Sequence, residues 1–403
     1  MAKPEPPALD RRAFLQTGAI ASAVSLAPGL GSAADDAPAS KPTLPRRPLG
    51  KTGVDLTILN IGTWQSPGLD KLVRLAYARG IRVFDTADCY RSEPGLARWF
   101  KERPEVRKDI FLVTKDHPRT PRELIARLDK RLAALRVDSV DLFLIHGIGG
   151  EYGPASLEWP RSREFKETID AIKRSGKARF VGFSCHDPRR AEYLQAAAEG
   201  GFVDAIMLQY TPWLDKDSPL NRALDACHAK GIGLISMKQV AGHTDLDQVF
   251  RRAPMLREKG LTPYQGLLHA IWTDERITTC CISMRNTDQI RDNVAAALSY
   301  QPLKTAEIQQ LRDACLAAGP TLCADCDGRC ARAGGTSAAL GDLTRILTYH
   351  DHHGYRAEAR RQYAAMPEAG RAWHDADLAA ARDACPARLD FATLLPRVDR
   401  DLA

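Results

Sequence analysis

Gly80-Ile81-Arg82-Val83-Phe84-Asp85-Thr86-Ala87-Asp88-Cys89-Tyr90 is the stretch on which the fold turns. A glycine stops the helical pattern before it, a run of β-branched and aromatic residues follows, and a carboxylate closes the run. The helix-ending glycine before a strand recurs at Ser175-Gly176-Lys177 and Lys230-Gly231-Ile232. Strand-like runs are expected at 56–61, 81–84, 110–114, 140–145, 178–183, 203–208, 232–237 and 277–282. Helical patterns fill the gaps at 70–79, 93–101, 122–135, 163–175, 189–198, 219–230, 263–272 and 288–298. Strands alternating with helices imply a parallel sheet with right-handed crossovers. Eight of each within ~250 residues fit a closed (β/α)8 TIM barrel better than an open sheet. The fold class is therefore α/β, with the barrel spanning residues 46–301.

Past residue 302 the strand pattern ends. Helical patterns at 305–318, 340–350, 357–366 and 376–384 make 302–403 a smaller, mainly helical C-terminal domain. Cys323, Cys326 and Cys330 are spaced to wrap three thiolates around one centre. Cys385-Pro386 supplies a fourth, followed by an amphipathic segment at 389–395. A local trio with a distal Cys-Pro resembles iron–sulfur ligation. A 4Fe-4S cluster is the favoured occupant, with structural zinc or disulfides as alternatives and Cys315 as the rival fourth ligand. Cys89, Cys185, Cys227, Cys280 and Cys281 are scattered through barrel elements and read as small buried hydrophobes. His350 and His353 lack a third ligand at metal-site spacing and read as a solvated helix end.

The 403 residues carry 57 basic and 50 acidic side chains, a formal net charge of +7. These charges are interspersed, with no basic stripe interleaved with aromatics, so nucleic acid is not expected as a partner. The N-terminus is distinctive: Asp10-Arg11-Arg12-Ala13-Phe14-Leu15-Gln16, a weakly apolar stretch over 19–30, then Gly31-Ser32-Ala33. That order is a secretory signal over 1–33. The adjacent arginines followed by x-Phe-Leu resemble the twin-arginine translocation signal, which implies the translocase as an export partner and a periplasmic or otherwise exported location. The apolar part falls short of the ~20 residues a spanning helix needs, so no stable membrane insertion is expected. Residues 34–45, rich in Pro, Ala, Asp and Ser, read as a linker.

Reactive groups in a parallel barrel sit at the C-terminal ends of the strands. Asp85 ends the second strand, Lys115 follows the third, His146 ends the fourth, and Tyr90 lies on the loop after Asp85. Neighbouring strands are ~4.8 Å apart, so these side chains can converge. Reducing a carbonyl takes a hydride on carbon and a proton on the developing alkoxide. A phenol of pKa ~10 is a slow acid at neutral pH. A nearby ammonium, Lys115, is expected to lower that value, with Asp85 holding Lys115 and His146 orienting the carbonyl oxygen.

These residues resemble the aldo-keto reductases, over roughly 46–300. The family's Asp-Thr-Ala-x-x-Tyr matches Asp85 to Tyr90, its Ser-Glu continuation matches Ser92-Glu93, and its tetrad falls on Asp85, Tyr90, Lys115 and His146. The resemblance implies an extended NADP or NAD across the barrel mouth and a small-molecule carbonyl substrate. Cofactor contacts are expected from Ser184, Gln209, Ser236, Lys238, Arg285, Gln289 and Asn293. The chain departs from the family at Cys185 (Asn expected), Met207 (Gln expected), Ile235 (a ring-stacking Tyr expected) and Gln289 (an Arg expected). It also looks like the branch of that family with a C-terminal ferredoxin-like extension. The resulting expectation is an NAD(P)H-dependent oxidoreductase interconverting a carbonyl and an alcohol, with Tyr90 as proton donor and an accessory cluster. The alternative is an iron–sulfur electron-transfer protein on a non-reducing barrel scaffold.

Overall fold

Eight parallel strands close into a barrel in the computed structural model, which describes residues 43–403 except 67, 150–151, 214–215, 240–243, 324–325 and 327. The expected signal peptide and most of the expected linker lie outside the described residues. In chain order the strands are β1 (Leu59–Gly62), β2 (Val83–Asp85), β3 (Phe111–Asp116), β4 (Val140–Ile145), β5 (Ala178–Cys185), β6 (Ala205–Gln209), β7 (Gly233–Met237) and β8 (Ile277–Ser283). Each pairs with its sequence neighbour, and β8 pairs with β1 to complete the ring. Outer helices follow the strands as expected. Leu124–Leu135, for example, buries Leu124, Leu128, Leu132 and Leu135, the apolar stripe of an amphipathic helix.

The expected first strand is split in two. Asp55–Thr57 pairs antiparallel with Arg46–Pro48, and only Leu59–Gly62 joins the barrel. Leu49 and Leu56 from this hairpin pack among the inward residues Val83 and Phe111 and close the N-terminal end of the barrel. Leu44, assigned to the linker by its composition, is already buried in the core.

Alternation along the strands sets up the site. Val83 on β2, Phe111 and Val113 on β3, and Leu142 and Leu144 on β4 face the barrel interior, while Phe84, Leu112 and Phe143 join the core beneath the helices. Two residues beyond the last apolar layer, the same inward parity brings Asp85, Lys115 and His146 to the mouth. Gly182 on β5 is required by close packing, since a Cβ there would stand 1.8 Å from the Ala205 carbonyl oxygen.

The tail divides differently from the expected boundary at 302. The helix Thr305–Ala318 buries Leu311, Ala314 and Cys315 in the barrel's own core, which continues to Leu322. A second core begins at Cys330 and gathers Leu343, Ile346 and Leu347 against Phe391, Leu395 and Val398. Its main supports are the helices Leu340–Asp351 and Phe391–Leu402. Trp64, just past β1, packs into this second core, its ring 5.6 Å from that of Tyr349 and 5.3 Å from that of Tyr355. The barrel and the C-terminal helices thereby share one seam directly above the barrel mouth. No helix among the described residues is long and apolar enough to cross a membrane.

Candidate active site

A cavity of about 1420 Å³ opens at the C-terminal ends of the strands, and Asp85, Tyr90 and His146 line it. Lys115 stands just behind: its Nζ donates to Asp85 Oδ1 at 2.5 Å and to the Thr86 carbonyl at 2.9 Å. The Lys115 ammonium is 5.2 Å from the centroid of the Tyr90 ring. Tyr90 meets the His146 ring edge-on, with centroids 5.5 Å apart. The short 3-10 turn Asp88–Tyr90 after β2 places the phenol, and β3, which runs through Asp116, contains Lys115 rather than preceding it. All four expected tetrad residues therefore meet at one place.

The electrostatics differ from the expectation in one respect. Burial pushes the Tyr90 phenol well above its ordinary value, and the charges of Asp85 and Cys89 add to the rise. The pull of Lys115 is spent on Asp85, whose own carboxyl is raised by burial against the stabilising charge and hydrogen bond of Lys115 and a hydrogen bond from Cys281. Tyr90 is thus held protonated, the form a proton donor needs. His146 is pushed down to about 3, first by burial and also by the positive charge of Lys115, against an opposing contact with Asp88. It is a neutral imidazole at any ordinary pH.

Further residues at the mouth carry chemistry: Asp88, His117 and Cys281, which the sequence reading passed over, and Cys89, which is exposed here and not the small buried hydrophobe expected. Asp88 Oδ2 lies 3.2 Å from His117 Nδ1, and Asp88 Oδ1 lies 3.6 Å from His146 Nδ1. Burial opposes ionisation of Asp88, but the two imidazoles hold its carboxyl far below the usual carboxylate range. Cys89 is exposed, with Sγ 3.7 Å from His146 Nδ1, and Cys281 borders the cavity beside Asp85. Asp88, Cys89 and His146 bring ligand atoms within 4.8 Å of one another, as do Asp88, Asp116 and His117, so either set has the composition to accept a divalent ion. Asp88 and Cys89 lie inside the quoted motif and His117 just past β3, so strand-end position was the available signal. By contrast Cys185, Cys227 and Cys280 are the buried hydrophobes expected of them.

Of the expected cofactor contacts, Ser184, Lys238, Arg285, Gln289 and Asn293 line the cavity; Gln209 and Ser236 do not. Ser236 alternates with Ile235 and Met237 on β7, and that parity turns it away from the interior. Around Gln209 the wall is made by Met207 and Trp213 instead. Ile235, matched by sequence to the ring-stacking position, is fully buried one layer down, and Met237 is the β7 residue that reaches the cavity. The C-terminal helices also contribute: Arg345, Tyr349, His352, His353 and Tyr355 border the same space. Of the two histidines read as a solvated helix end, His353 therefore faces the site, while His350 turns to Asp351, with Nδ1 2.9 Å from its Oδ1.

The expected metal ligands fall at the second core. Cys330 and Cys385 are buried there, and Cys323 and Cys326 are half-buried. The helix Arg329–Ala333 packs on Leu378–Ala384, which brings the distal Cys385 next to Cys330. Burial raises the Cys330 thiol to about 12, with the charges of Cys326 and Cys385 adding to it. Cys323 sits against Gly341, where a Cβ would approach its sulfur to 2.8 Å. Among the described residues the four sulfurs do not gather within 4.8 Å of one another. Cys315, the rival fourth ligand, belongs to the barrel core instead.

Comparison with known proteins bears on this geometry. The model of the aldo/keto reductase family matches residues 59–260. Glycerol 2-dehydrogenase (NADP(+)) of Saccharomyces cerevisiae is 28% identical over 230 residues, covering 51% of this chain and 70% of the yeast protein. L-glyceraldehyde 3-phosphate reductase of Escherichia coli O157:H7 is 23% identical over 326 residues, covering 65% of this chain and 90% of its own. A thermostable aldo-keto reductase solved with the inhibitor epalrestat superposes with a TM-score of 0.52 at 24% identity, over 67% of this chain and all of that one, a likeness of fold.

Proposed function

The chain belongs to the aldo/keto reductase family, and from that premise we propose that it interconverts a small-molecule carbonyl and its alcohol using NADP or NAD, with Tyr90 as the proton donor. As a family member it is an NAD(P)-dependent oxidoreductase. The observation that carries the finer reading is the convergence of Tyr90, His146 and the Asp85–Lys115 pair on one cavity. That cavity exceeds the about 300–1,000 Å³ of an ordinary small-molecule site, which gives room for a dinucleotide and a substrate together. Ser184, Lys238, Arg285, Gln289 and Asn293 are the residues that would hold the nucleotide.

When bound, the nicotinamide supplies the hydride to the carbonyl carbon or takes it from the alcohol. Tyr90, protonated by virtue of its burial, gives its proton to the oxygen on which charge develops. The phenolate left behind faces the Lys115 ammonium, which compensates the new charge, and Asp85 keeps that ammonium in place. Neutral His146, edge-on to Tyr90, fixes the direction from which the oxygen approaches. The test is oxidation of NADPH and NADH against a panel of small aldehydes and ketones. Nucleotide binding without turnover of any carbonyl would reject the reading.

The proposal extends to the tail and to location. Cys323, Cys326, Cys330 and Cys385 would hold a 4Fe-4S cluster, a reading supported by the packing of the helix Arg329–Ala333, which carries Cys330, on the helix Leu378–Ala384, which ends at Cys385. A nicotinamide passes electrons in pairs as hydride and a cluster one at a time, so the four cysteines would hold a structural or accessory cluster, with Cys385 tied through it to the local trio. Export by the twin-arginine translocase, supported by Arg11-Arg12-Ala13-Phe14-Leu15, would carry the folded chain with its cofactors already bound.

A further inference from the structure

Arg345 lies on the helix Leu340–Asp351 and is 3% exposed, yet it borders the cavity at the barrel mouth. Its Nε and Nη2 both donate to Asp342 Oδ1, at 3.1 and 2.8 Å, and its guanidinium lies 5.3 Å from the centroid of the Tyr349 ring. Its Nη1 is buried without a hydrogen-bond partner. A buried guanidinium with an unused donor is a costly arrangement unless something else completes it.

Lys238 borders the same cavity from the barrel side, immediately after β7. Its backbone is in the left-handed region, φ 51°, which a residue with a side chain seldom adopts. No hydrogen bond or ion pair engages its ammonium among the described residues. The two cations feel each other: burial and then the Arg345 charge push the Lys238 ammonium well below its ordinary value, with Asp342 and Glu358 opposing. His186, which also lines the cavity, is pushed down first by Lys238, then by burial and by Arg345. Asp342 is committed to Arg345, and Glu358 to Arg361 and Gln362, so neither carboxylate pairs with the Lys238 ammonium.

We propose that Arg345 and Lys238 form an anion site across the seam between the barrel and the C-terminal helices, and that it takes a phosphate group carried by the nicotinamide nucleotide or by the substrate. The planar guanidinium with a free Nη1 and the compact ammonium are the pair that suits a phosphate: one directional donor and one point charge. The C-terminal helices then complete the binding mouth as well as covering it, and Arg345 is a binding residue that no part of the barrel supplies. The inference deepens the reductase reading and rests on it only for the identity of the ligand.

The experiment is direct binding to the full-length protein by calorimetry, with inorganic pyrophosphate and NADP as probes, for the wild type and for Arg345→Gln and Arg345→Lys. Initial rates with glyceraldehyde and glyceraldehyde 3-phosphate are measured in parallel. Arg345→Gln is expected to weaken pyrophosphate by about tenfold or more, with Arg345→Lys recovering part of the loss. If NADP weakens in step and the KM for glyceraldehyde is unchanged, the phosphate is the nucleotide's. If NADP binding is unchanged but the preference for the phosphorylated aldehyde is lost, it is the substrate's. Pyrophosphate that fails to bind the wild type, or binds the folded Arg345→Gln protein equally well, overturns the proposal. Should Arg345→Gln fail to fold, Lys238→Gln is read in the same assay with the same outcomes. A protein that binds pyrophosphate through Arg345 but turns over no carbonyl would keep the anion site and remove the reductase reading.

Discussion

The ammonium of Lys115 donates to the Asp85 carboxylate over 2.5 Å, with the two side chains 1% and 3% exposed. A charge sealed from water is tolerated only with its partner, so each residue is held in place by the other. Replacing one of them, as in Lys115→Met or Asp85→Asn, is expected to cost about 3–5 kcal/mol of stability. The double variant should cost clearly less than the sum. Urea unfolding of all four proteins measures this, and strict additivity would mean that the pair does not act as a unit.

Tyr90→Phe removes the proton and little else, since the ring keeps its edge-on contact with His146. Loss of a general acid is expected to lower kcat by about 10²–10⁴-fold. The nucleotide Kd should stay within a factor of about two, because no cofactor contact is assigned to Tyr90. The same variant separates the two functional readings: electron transfer through a cluster would proceed unchanged while carbonyl reduction is lost.

The depressed value of His146, about 3 in the folded chain, predicts a pH effect on stability. Unfolded histidine binds a proton below about 6.5, whereas the folded state resists it, so the unfolded chain carries more protons through that interval. Stability from this group is therefore fully present above about 6.5 and is lost as pH falls toward about 3. Comparing unfolding midpoints at neutral and mildly acidic pH, the wild type should lose more than His146→Asn; parallel losses would contradict the burial of a neutral imidazole.

Cys330→Ala and Cys385→Ala should both lose bound iron and the visible charge-transfer absorption of protein purified without oxygen, while Cys315→Ala should keep both. The contrast follows from Cys315 lying in the barrel core and the other two in the second core. Retention of iron by Cys385→Ala would remove the distal ligand from the set.

Gly182→Ala places a methyl against the Ala205 carbonyl at 1.8 Å, so β5 and β6 must part for it to fit. The cost is expected to be about 1–3 kcal/mol or more, seen as a lower melting temperature. Ser184, two residues on, accepts a hydrogen bond from the Gly147 amide at 2.8 Å, so nucleotide affinity should fall as well.

The barrel was legible because its signals are local. Glycine stops, β-branched runs and helical stripes each occupy a few consecutive residues, and their alternation admits few topologies. The tetrad was legible for the same reason: strand end and inward parity are properties of position along a strand. Ser236 shows where that reasoning slips, because parity decides facing and a shift of one residue turns the side chain outward. The split of 56–61 was hidden, since nothing in the strand-like run Leu56-Thr57-Ile58-Leu59-Asn60-Ile61 marks where antiparallel pairing gives way to parallel.

By itself, then, the order of residues determined the closed barrel, the place of Asp85, Tyr90, Lys115 and His146 on it, and the existence of a helical tail. The pairing of Asp85 with Lys115 and the joining of Cys385 to the trio were also expected from the residues; only the tertiary structure decided that burial holds Tyr90 protonated despite Lys115, that Gln209 and Ser236 miss the cavity, and that Arg345 reaches the barrel mouth. The physical reason is distance along the chain. Local patterns record which face of an element is apolar, but charge balance and burial depend on which distant elements those faces meet, as when Trp64 packs against Tyr349 and draws the C-terminal helices over the site.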